Sequence, residues 1–563
     1  MPSQAGTAVK TKTTFETLLD LFLQSVDRFS DRVALQREVG EGLRTFTYRE
    51  VSRRAQGVAH QLLRLGIGQG ERVGILSENR PEWGISFFGI LLAGGIVVPL
   101  DIRLKAAEVE NILKRSGVRA AFTGEGGLKT LEEVKKGLPG FQHILFVQAP
   151  DFAPETAEPP QAQKPSSDDL AILAFSSGTT GQPKGVMLTH GNLASNVSAT
   201  LSIAIHERRD VLLSVLPLHH LFECTGGFLA PFAKGCTIHY LDAITPRAIS
   251  AALSERGITI SPLVPALLRL FHKNIFSTVE RSSALRRALF HSLFSVASFS
   301  QGLGLPLGRF LFPQIRRRFG RQFRFFVSGG AALEPAIHRD LKILGLEVLQ
   351  GYGLTETSPI THVNRPGGSK IGTVGPPIPG VEVRLKPVDG AEAGEGEVLI
   401  RGPNVMKGYY EAPEMTAKVL KDGWFHTGDI GRLDEDGHLV ICGRSKNVIV
   451  SEAGKNIYPE EVEEEILKSA YVKEVCVLGK KSPKGGEAVF AVIVPDEEAF
   501  KEKEGGQERE VLGQEVKKAS SRLADYKRVE DFAVVLEELP KTTTLKHKRP
   551  EIIDLLRQKG FWG

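Results

Sequence analysis

Apolar runs of β type alternate with segments of helical period through the first two thirds of this chain. RVGILSE (72–78) precedes the helix-like WGISFFGILLAG (83–94), and IVVPLD (96–101) follows it. AILAFSS (171–177), VLLSVLPL (211–218), GCTIHYLD (235–242) and FRFFVSGG (323–330) continue the pattern. Parallel neighbours need a crossover, usually a helix, so this alternation predicts an α/β fold with largely parallel sheets.

One segment competes with that reading. Trp83 to Leu100 is 18 residues long without a charge, at the threshold for spanning a bilayer. Gly94-Gly95 interrupts it, and the β-branched run Ile96-Val97-Val98 with Pro99 follows. A buried helix, a turn and a buried strand are therefore expected in place of a membrane span.

With 563 residues, 41% of them hydrophobic, the chain is too long for one compact core, so two or more domains are expected. Residues 151–169 and 366–380, rich in proline or glycine, read as connections. After the second come short β runs, VEVRLKP, GEVLIRG and HLVICGR, which predict a smaller β-rich subdomain. Tyr458-Pro459-Glu460-Glu461-Val462 reads as a helix start, with proline and acids in the first turn. EVCVLG and AVFAVIVPD then complete a compact C-terminal α/β domain.

A net charge of +5 suits anionic small molecules or a membrane surface, and is far from the footprint of a nucleic-acid binder. The four cysteines make no CxxC pair and fit neither a zinc site nor a disulfide framework, so they read as reduced core residues. The first 22 residues show no uninterrupted apolar region before a small-residue cleavage site, so no secretory signal is expected, and the reduced cysteines suit a cytoplasmic protein.

The strand AILAF runs into SSGTTGQPKG (176–185). Glycines let the backbone approach an anion, hydroxyls and N–H groups can donate to phosphate oxygens, and Lys184 adds charge. This is not a Walker A loop: after Gly178 the second required glycine falls on Pro183, which has no N–H to give. The competing reading is an ordinary Gly/Ser turn, which so many donors within ten residues of a buried strand make a poor fit.

SSGTTGQPKG resembles the phosphate loop of the adenylate-forming (ANL) superfamily, which includes acyl-CoA synthetases, luciferases and peptide-synthetase adenylation domains. Companion motifs follow in order: GYGLTETSP (351–359) resembles the adenine-and-magnesium motif, GWFHTGDIG (423–431) the ribose motif, GRSKNVIV (443–450) the hinge, and LPKTTTLKHKR (539–549) the catalytic-lysine tail. Before residue 170 the likeness rests on NRPEW (79–83) and the apolar stretch after it. The resemblance implies an N-terminal ATP- and acyl-binding domain over 1–443, with its β-rich subdomain at about 376–443, a hinge at 444–447, and a mobile C-terminal lid domain over 448–563.

It also implies roles. Ser176, Ser177, Gly178, Thr179, Thr180, Gly181 and Lys184 would hold the β- and γ-phosphates. Gly330 and Ala331, at a strand end, would lie between nucleotide and acyl group, and Gln350, Gly351, Tyr352 and Gly353 would surround adenine, with Tyr352 stacked on it. Thr355 would contact the α-phosphate, and Glu356 with Ser176 would hold Mg²⁺, which prefers hard oxygen ligands. Asp429 would accept from both ribose hydroxyls and Arg444 would reach the same sugar. His220 would be the switch beside the acyl carbonyl; the adjacent His219 leaves that alignment uncertain by one, and a core histidine is the competing reading. Lys446 would be the hinge residue, Gly454 would lie near the pantetheine of CoA, and Lys546 would bridge the substrate carboxylate and the α-phosphate.

Thr544-Leu545 stands where the commoner tail has Ser-Gly, which together with ENRPEW (78–83) and AGKNIYPEEVE (453–463) is nearer to the long-chain fatty acyl-CoA synthetases. Three functions are open: a fatty acid–CoA ligase using ATP, Mg²⁺ and CoA; an acyl–acyl-carrier-protein synthetase or fatty acyl-AMP ligase serving a phosphopantetheine carrier; and a non-catalytic binding protein of the same fold. Independently of the resemblance, residues 281–324 carry nine arginines and no Asp or Glu among apolar residues. Such a surface can lie on anionic lipid; the alternative is helices packed on the body with arginines in water.

Overall fold

The computed structural model describes residues 15–40, 42–149, 152–156, 163–176, 183–452, 454–482, 485–500, 508–542 and 546–562, with the backbone alone at Ser176. The chain divides into two compact units, residues 1–382 with 401–425, and residues 383–400 with 426–563. The hinge assigned by resemblance, 444–447, lies inside the second unit, as a short turn (Ser445–Asn447) after the strand Leu439–Arg444.

The first unit holds two large sheets. One runs in the order Gly408–Tyr409, Lys184–Thr189, Leu170–Ser176, Ile96–Pro99, Arg72–Leu76, Ala120–Thr123, His143–Phe146. It is parallel from Leu170–Ser176 to His143–Phe146 and antiparallel where Lys184–Thr189 folds back. The other has eight strands. Its centre, from Glu347–Gly353 through Phe325–Ser328, Ile260–Leu263, Val211–Ser214 and Thr237–Tyr240 to Val33–Val39, is parallel, with an antiparallel strand at each edge. The α/β expectation holds, and each run quoted above forms a strand or helix.

The uncharged segment resolves as the helix Pro81–Leu92, all twelve residues buried, and the strand Ile96–Pro99. Among the described residues no helix is long and apolar enough to cross a membrane. The helix is apolar all round because it is covered all round. Gly84 and Gly89 let neighbours in: a Cβ at Gly84 would stand 2.8 Å from the Phe228 ring, and one at Gly89 2.3 Å from Val58 Cγ1. Phe88 stacks on Phe22 with centroids 4.3 Å apart and meets Phe232 at 4.9 Å. Burying each such ring contributes roughly 1.5–3 kcal/mol. The charges of NRPEW cluster at the helix start, where Arg80 Nε meets Glu82 Oε2 at 2.9 Å and both side chains are buried.

In the second unit the strands Val472–Lys481 and Glu487–Pro495 form an antiparallel hairpin with Asp531–Val534 added in parallel. The helices Pro459–Ile466 and Glu508–Ser520 bury Val462, Ile466, Leu512 and Val516 with one face of it. Arg549–Gln558 buries Ile552 and Leu556 with Cys476 and Phe490. All four cysteines are free thiols; Cys224, Cys236 and Cys476 are buried as expected, and Cys442 is half-buried against Glu395.

Candidate active site

In the first unit the hairpin of Leu170–Ser176 and Lys184–Thr189 sets Ser176 opposite Lys184. Arg115 Nη1 donates to Pro183 O at 2.6 Å and fixes the start of the return strand. The side chain of Ser176 and all of Ser177, Gly178, Thr179, Thr180 and Gly181 lie outside the described residues. Gly408–Tyr409 pairs with the same return strand, Tyr409 opposite Val186. The Lys184 ammonium lies 5.6 Å from the centre of the Tyr409 ring, and Tyr409 Oη donates to Glu356 Oε1 at 2.9 Å. Burial, then the Glu356 carboxylate, pushes the Tyr409 hydroxyl well above its ordinary range, so it stays a proton donor. Lys184 and Glu356, 172 positions apart by their numbers, thus share one tyrosine that nothing in the sequence singles out.

Gln350, Gly351, Tyr352 and Gly353 end the strand Glu347–Gly353. The Gln350 side chain turns inward: its Oε1 accepts from Leu333 N at 3.1 Å and its Nε2 lies 3.3 Å from His338 Nδ1. Gly353 admits no side chain, since a Cβ there would fall 1.8 Å from Pro359 O. The turn Thr355–Thr357 follows, held from three sides by buried side chains. Asn196 Nδ2 donates to Ile360 O at 2.6 Å, Asn404 Nδ2 to Thr357 O at 2.9 Å, and Thr225 Oγ1 to Ser358 O at 3.0 Å. Met406 N adds a bond to Glu356 O at 2.8 Å. The backbone under Thr355 and Glu356 is therefore fixed in advance, as sites that stabilise transferring phosphoryl groups require. The donor set suits magnesium: Glu356 offers a hard carboxylate oxygen oriented by a neutral donor.

Gly330 has φ +86°, a conformation that favours glycine, and Ala331 follows it exposed. A Cβ at the preceding Gly329 would lie 3.3 Å from the Phe222 ring and 3.5 Å from Gly351 O, so this turn sits beside the adenine-motif strand.

The two histidines separate by environment. His219 Nε2 lies 3.6 Å from Asp101 Oδ2, and burial, with Arg103 adding to it, pushes its pKa down to about 3. His220, its ring 4.3 Å from that of His219, donates its backbone N–H to Pro217 O, and its backbone carbonyl accepts from Cys224 N at the head of the π-helix Phe222–Leu229. Asn79 of NRPEW holds this loop: its Nδ2 donates to Ser214 Oγ at 3.0 Å and to Leu216 O at 2.5 Å, and its Oδ1 accepts from Leu218 N at 2.9 Å. In the first turn of the π-helix, Glu223 is fully buried, and burial pushes its carboxyl up to about 8. Gly227 makes room for it, since a Cβ there would lie 2.6 Å from the carboxyl carbon.

In the second unit the ribose motif and the residue after HLVICG meet. Asp429 is opposite Arg444 in the strand pair, and Arg444 Nε lies 2.8 Å from the buried Asp429 Oδ1. Thr427 Oγ1 accepts from Asp429 N at 3.0 Å and fixes the carboxylate's backbone. Lys446 is exposed on its short turn, and Gly454, φ +70°, turns the hairpin of Ile449–Val450 and Asn456–Ile457.

Lys546 sits in a small loop closed by Thr542 N to Lys546 O at 2.8 Å and Lys546 N to Thr542 Oγ1 at 3.1 Å; residues 543–545 lie outside the described ones. Both ends of this loop are tied down. Lys541 Nζ meets the buried Glu474 at 2.6 Å, which holds this cation on the second unit's own body. Arg549, whose role the sequence leaves open, places Nη2 2.8 Å from Glu463 Oε1 and donates from Nε to Val477 O. Burial pushes the Glu463 carboxyl up while the Arg549 charge pulls it down.

Comparison with known proteins identifies the family of the chain. A family model described as AMP-binding enzyme matches residues 22–410, and its C-terminal-domain companion matches 461–546. A feruloyl-CoA synthase from Amycolatopsis sp is 32% identical over 81% of this chain and 85% of its own. A long-chain-fatty-acid–CoA ligase from Escherichia coli O157:H7 is 30% identical over 97% of this chain and 95% of its own. Among solved structures, the anthranilate CoA ligase AuaEII in complex with anthranoyl-AMP superposes with TM-score 0.78 at 25% identity, covering 98% of this chain and 99% of that one.

Proposed function

The chain belongs to the AMP-binding enzyme family, the adenylate-forming acid–thiol ligases, and from that premise we propose that it makes fatty acyl-CoA from a medium- or long-chain fatty acid, ATP and CoA. In the first step a carboxylate oxygen attacks the α-phosphorus, an acyl–phosphate linkage forms, and the bond to the β-phosphate breaks to release pyrophosphate. In the second the CoA sulfur attacks the acyl carbonyl, its proton leaves to solvent, and AMP departs with the linking oxygen.

Both substrates of the first step are anions, so charge must be neutralised before they meet. In this reading Lys184 and the Ser/Thr/Gly loop bind the β- and γ-phosphates, and Lys546 bridges the carboxylate and the α-phosphate. Thr355 contacts the α-phosphate, Tyr352 stacks on adenine, and Asp429 with Arg444 takes the ribose. Glu356, kept in place by Tyr409, would hold Mg²⁺ together with Ser176; bound there, the ion supplies charge neutralisation among phosphate oxygens. His220 lies at the acyl end. Lys446 is the pivot about which the lid exchanges Lys546 for the CoA-side hairpin at Gly454.

One observation carries the fatty-acid choice: the match to a long-chain-fatty-acid–CoA ligase runs through nearly the whole of both chains. The feruloyl-CoA synthase match, slightly higher in identity over less of the chain, favours an aromatic acid as the second reading. A panel of saturated acids from acetate to stearate, with ferulate and benzoate, decides between them when assayed with CoA and separately with a holo-carrier protein. Turnover rising along the alkyl series with CoA supports the proposal; a preference for ferulate overturns it in favour of the second reading. Acyl transfer to the carrier alone makes the protein a carrier-directed ligase, and no acid-dependent ATP–pyrophosphate exchange at all marks a binding protein.

A further inference from the structure

The helix Ala284–Gly302 is apolar on two opposite faces. Its inner face buries Phe290 and Ala297 with Phe312, Ile343 and Leu344. Its outer face carries Leu285, Leu289, Ser292, Val296, Phe299 and Leu303, spaced by alternate steps of four and three, which places them in one stripe along the helix. That stripe is uncovered: Leu285 is 80% exposed, Phe299 73% and Leu303 65%. The segment after it continues the surface with Leu305, Leu307 and Phe310. Of the 16 large apolar side chains exposed among the described residues, eight lie between 285 and 310. A soluble surface seldom gathers so much apolar area in one place without a partner.

Charge says which partner. The stretch 281–324 has nine arginines and no acidic residue. Arg324 is taken by Asp210 and Glu207, and Arg287 by Glu280, but Arg286, Arg309, Arg317 and Arg318 are exposed, with Arg309 lying over the Phe310 ring at 4.7 Å. An isologous contact with a second copy would bring this acid-free, arginine-rich stretch against itself, which like-charge repulsion opposes. An anionic bilayer complements both features at once: headgroups face the guanidinium groups and acyl chains receive the leucines and phenylalanines.

We propose that residues 281–318 dock this protein on the surface of an anionic lipid bilayer, with the helix Ala284–Gly302 lying in the membrane plane and its Leu285–Phe299–Leu303 stripe among the acyl chains. The docking is peripheral, and it holds whatever acid the enzyme activates.

The test is co-sedimentation of the full chain with vesicles of phosphatidylcholine alone or mixed with phosphatidylglycerol, at low and high salt. The wild type is expected to pellet with the mixed vesicles, less so at high salt. The double variant Leu285→Asp/Phe299→Asp should lower the bound fraction about tenfold while keeping the wild-type melting temperature, because both side chains point to solvent. The triple variant Arg286→Gln/Arg317→Gln/Arg318→Gln should lose the preference for phosphatidylglycerol. Wild type that stays in the supernatant with both vesicles overturns the proposal, as does a double variant that pellets like wild type. A concentration-dependent dimer in buffer that Phe299→Asp dissolves, with no vesicle binding, assigns the stripe to a second copy instead.

Discussion

Tyr409 donates its hydroxyl to Glu356 Oε1 at 2.9 Å while its ring lies 5.6 Å from the Lys184 ammonium. One side chain thereby links the phosphate-loop hairpin to the metal-motif turn. Replacing it by Phe keeps the ring under Lys184 and removes only the bond to the carboxylate. A hydrogen bond to a charged group contributes about 1.5–3 kcal/mol. Tyr409→Phe should therefore slow acid-dependent ATP–pyrophosphate exchange by about ten- to hundredfold and raise the Mg²⁺ concentration needed for half-maximal rate. An unchanged Mg²⁺ requirement would remove Tyr409 from the site.

The sheets were legible because periodicity and turn residues are local signals, and each quoted run became the element it resembled. The motif residues were legible for another reason: their chemistry is concentrated in short segments. What orients them is not local. Asn196, Thr225 and Asn404 hold one turn from positions scattered over the chain, and each alone reads as an ordinary polar residue. Asn79 stands out in the sequence only as part of NRPEW, yet it makes three bonds to the segment that leads to His220. The boundaries of the two units fall inside the strands Glu382–Lys386, Glu395–Arg401 and Trp424–Leu433, where the periodicity of the sequence carries no break.

Lys546 and Lys541 lie in the same basic knot, but Lys541 is spent on Glu474. Lys546→Ala should abolish exchange while thioester formation from supplied acyl-AMP proceeds near the wild-type rate. Equal loss of both half-reactions would refute the separation of roles. Lys541→Ala should mainly lower stability, by about 1–3 kcal/mol, read as a lower melting temperature.

Arg549 closes the far side of the loop that carries Lys546, through Glu463. Arg549→Leu leaves a buried carboxylate without its partner and should cost about 3–5 kcal/mol. Arg549→Leu/Glu463→Leu removes both charges and should recover most of that stability. If the pair serves to place the tail, the double variant stays slow in exchange although its melting temperature returns. Full recovery of exchange would make the pair structural only.

The pH dependence of stability follows from two opposite sets of buried groups. Burial lowers His206 and His338 to about 4 and His219 and His362 to about 3. Below the ordinary histidine value the unfolded chain takes up protons that these neutral rings refuse, so their contribution is present above about pH 6.5 and is lost as the pH falls towards their folded values. Glu223 behaves inversely. Its carboxyl, raised to about 8 in the folded protein, stays protonated while the unfolded chain releases the proton from about pH 4.5 upward, so its contribution is lost as the pH rises through that interval. Stability should peak near pH 6.5 and decline on the alkaline side until about pH 8, with a slope from this one proton of about 1.4 kcal/mol per pH unit. Glu223→Gln, which is nearly isosteric and cannot ionise, should flatten the alkaline limb of a melting-temperature profile and steepen the acid limb between about pH 4.5 and 6.5, where Glu223 opposes the histidines. An alkaline limb that survives the substitution would assign it to other groups.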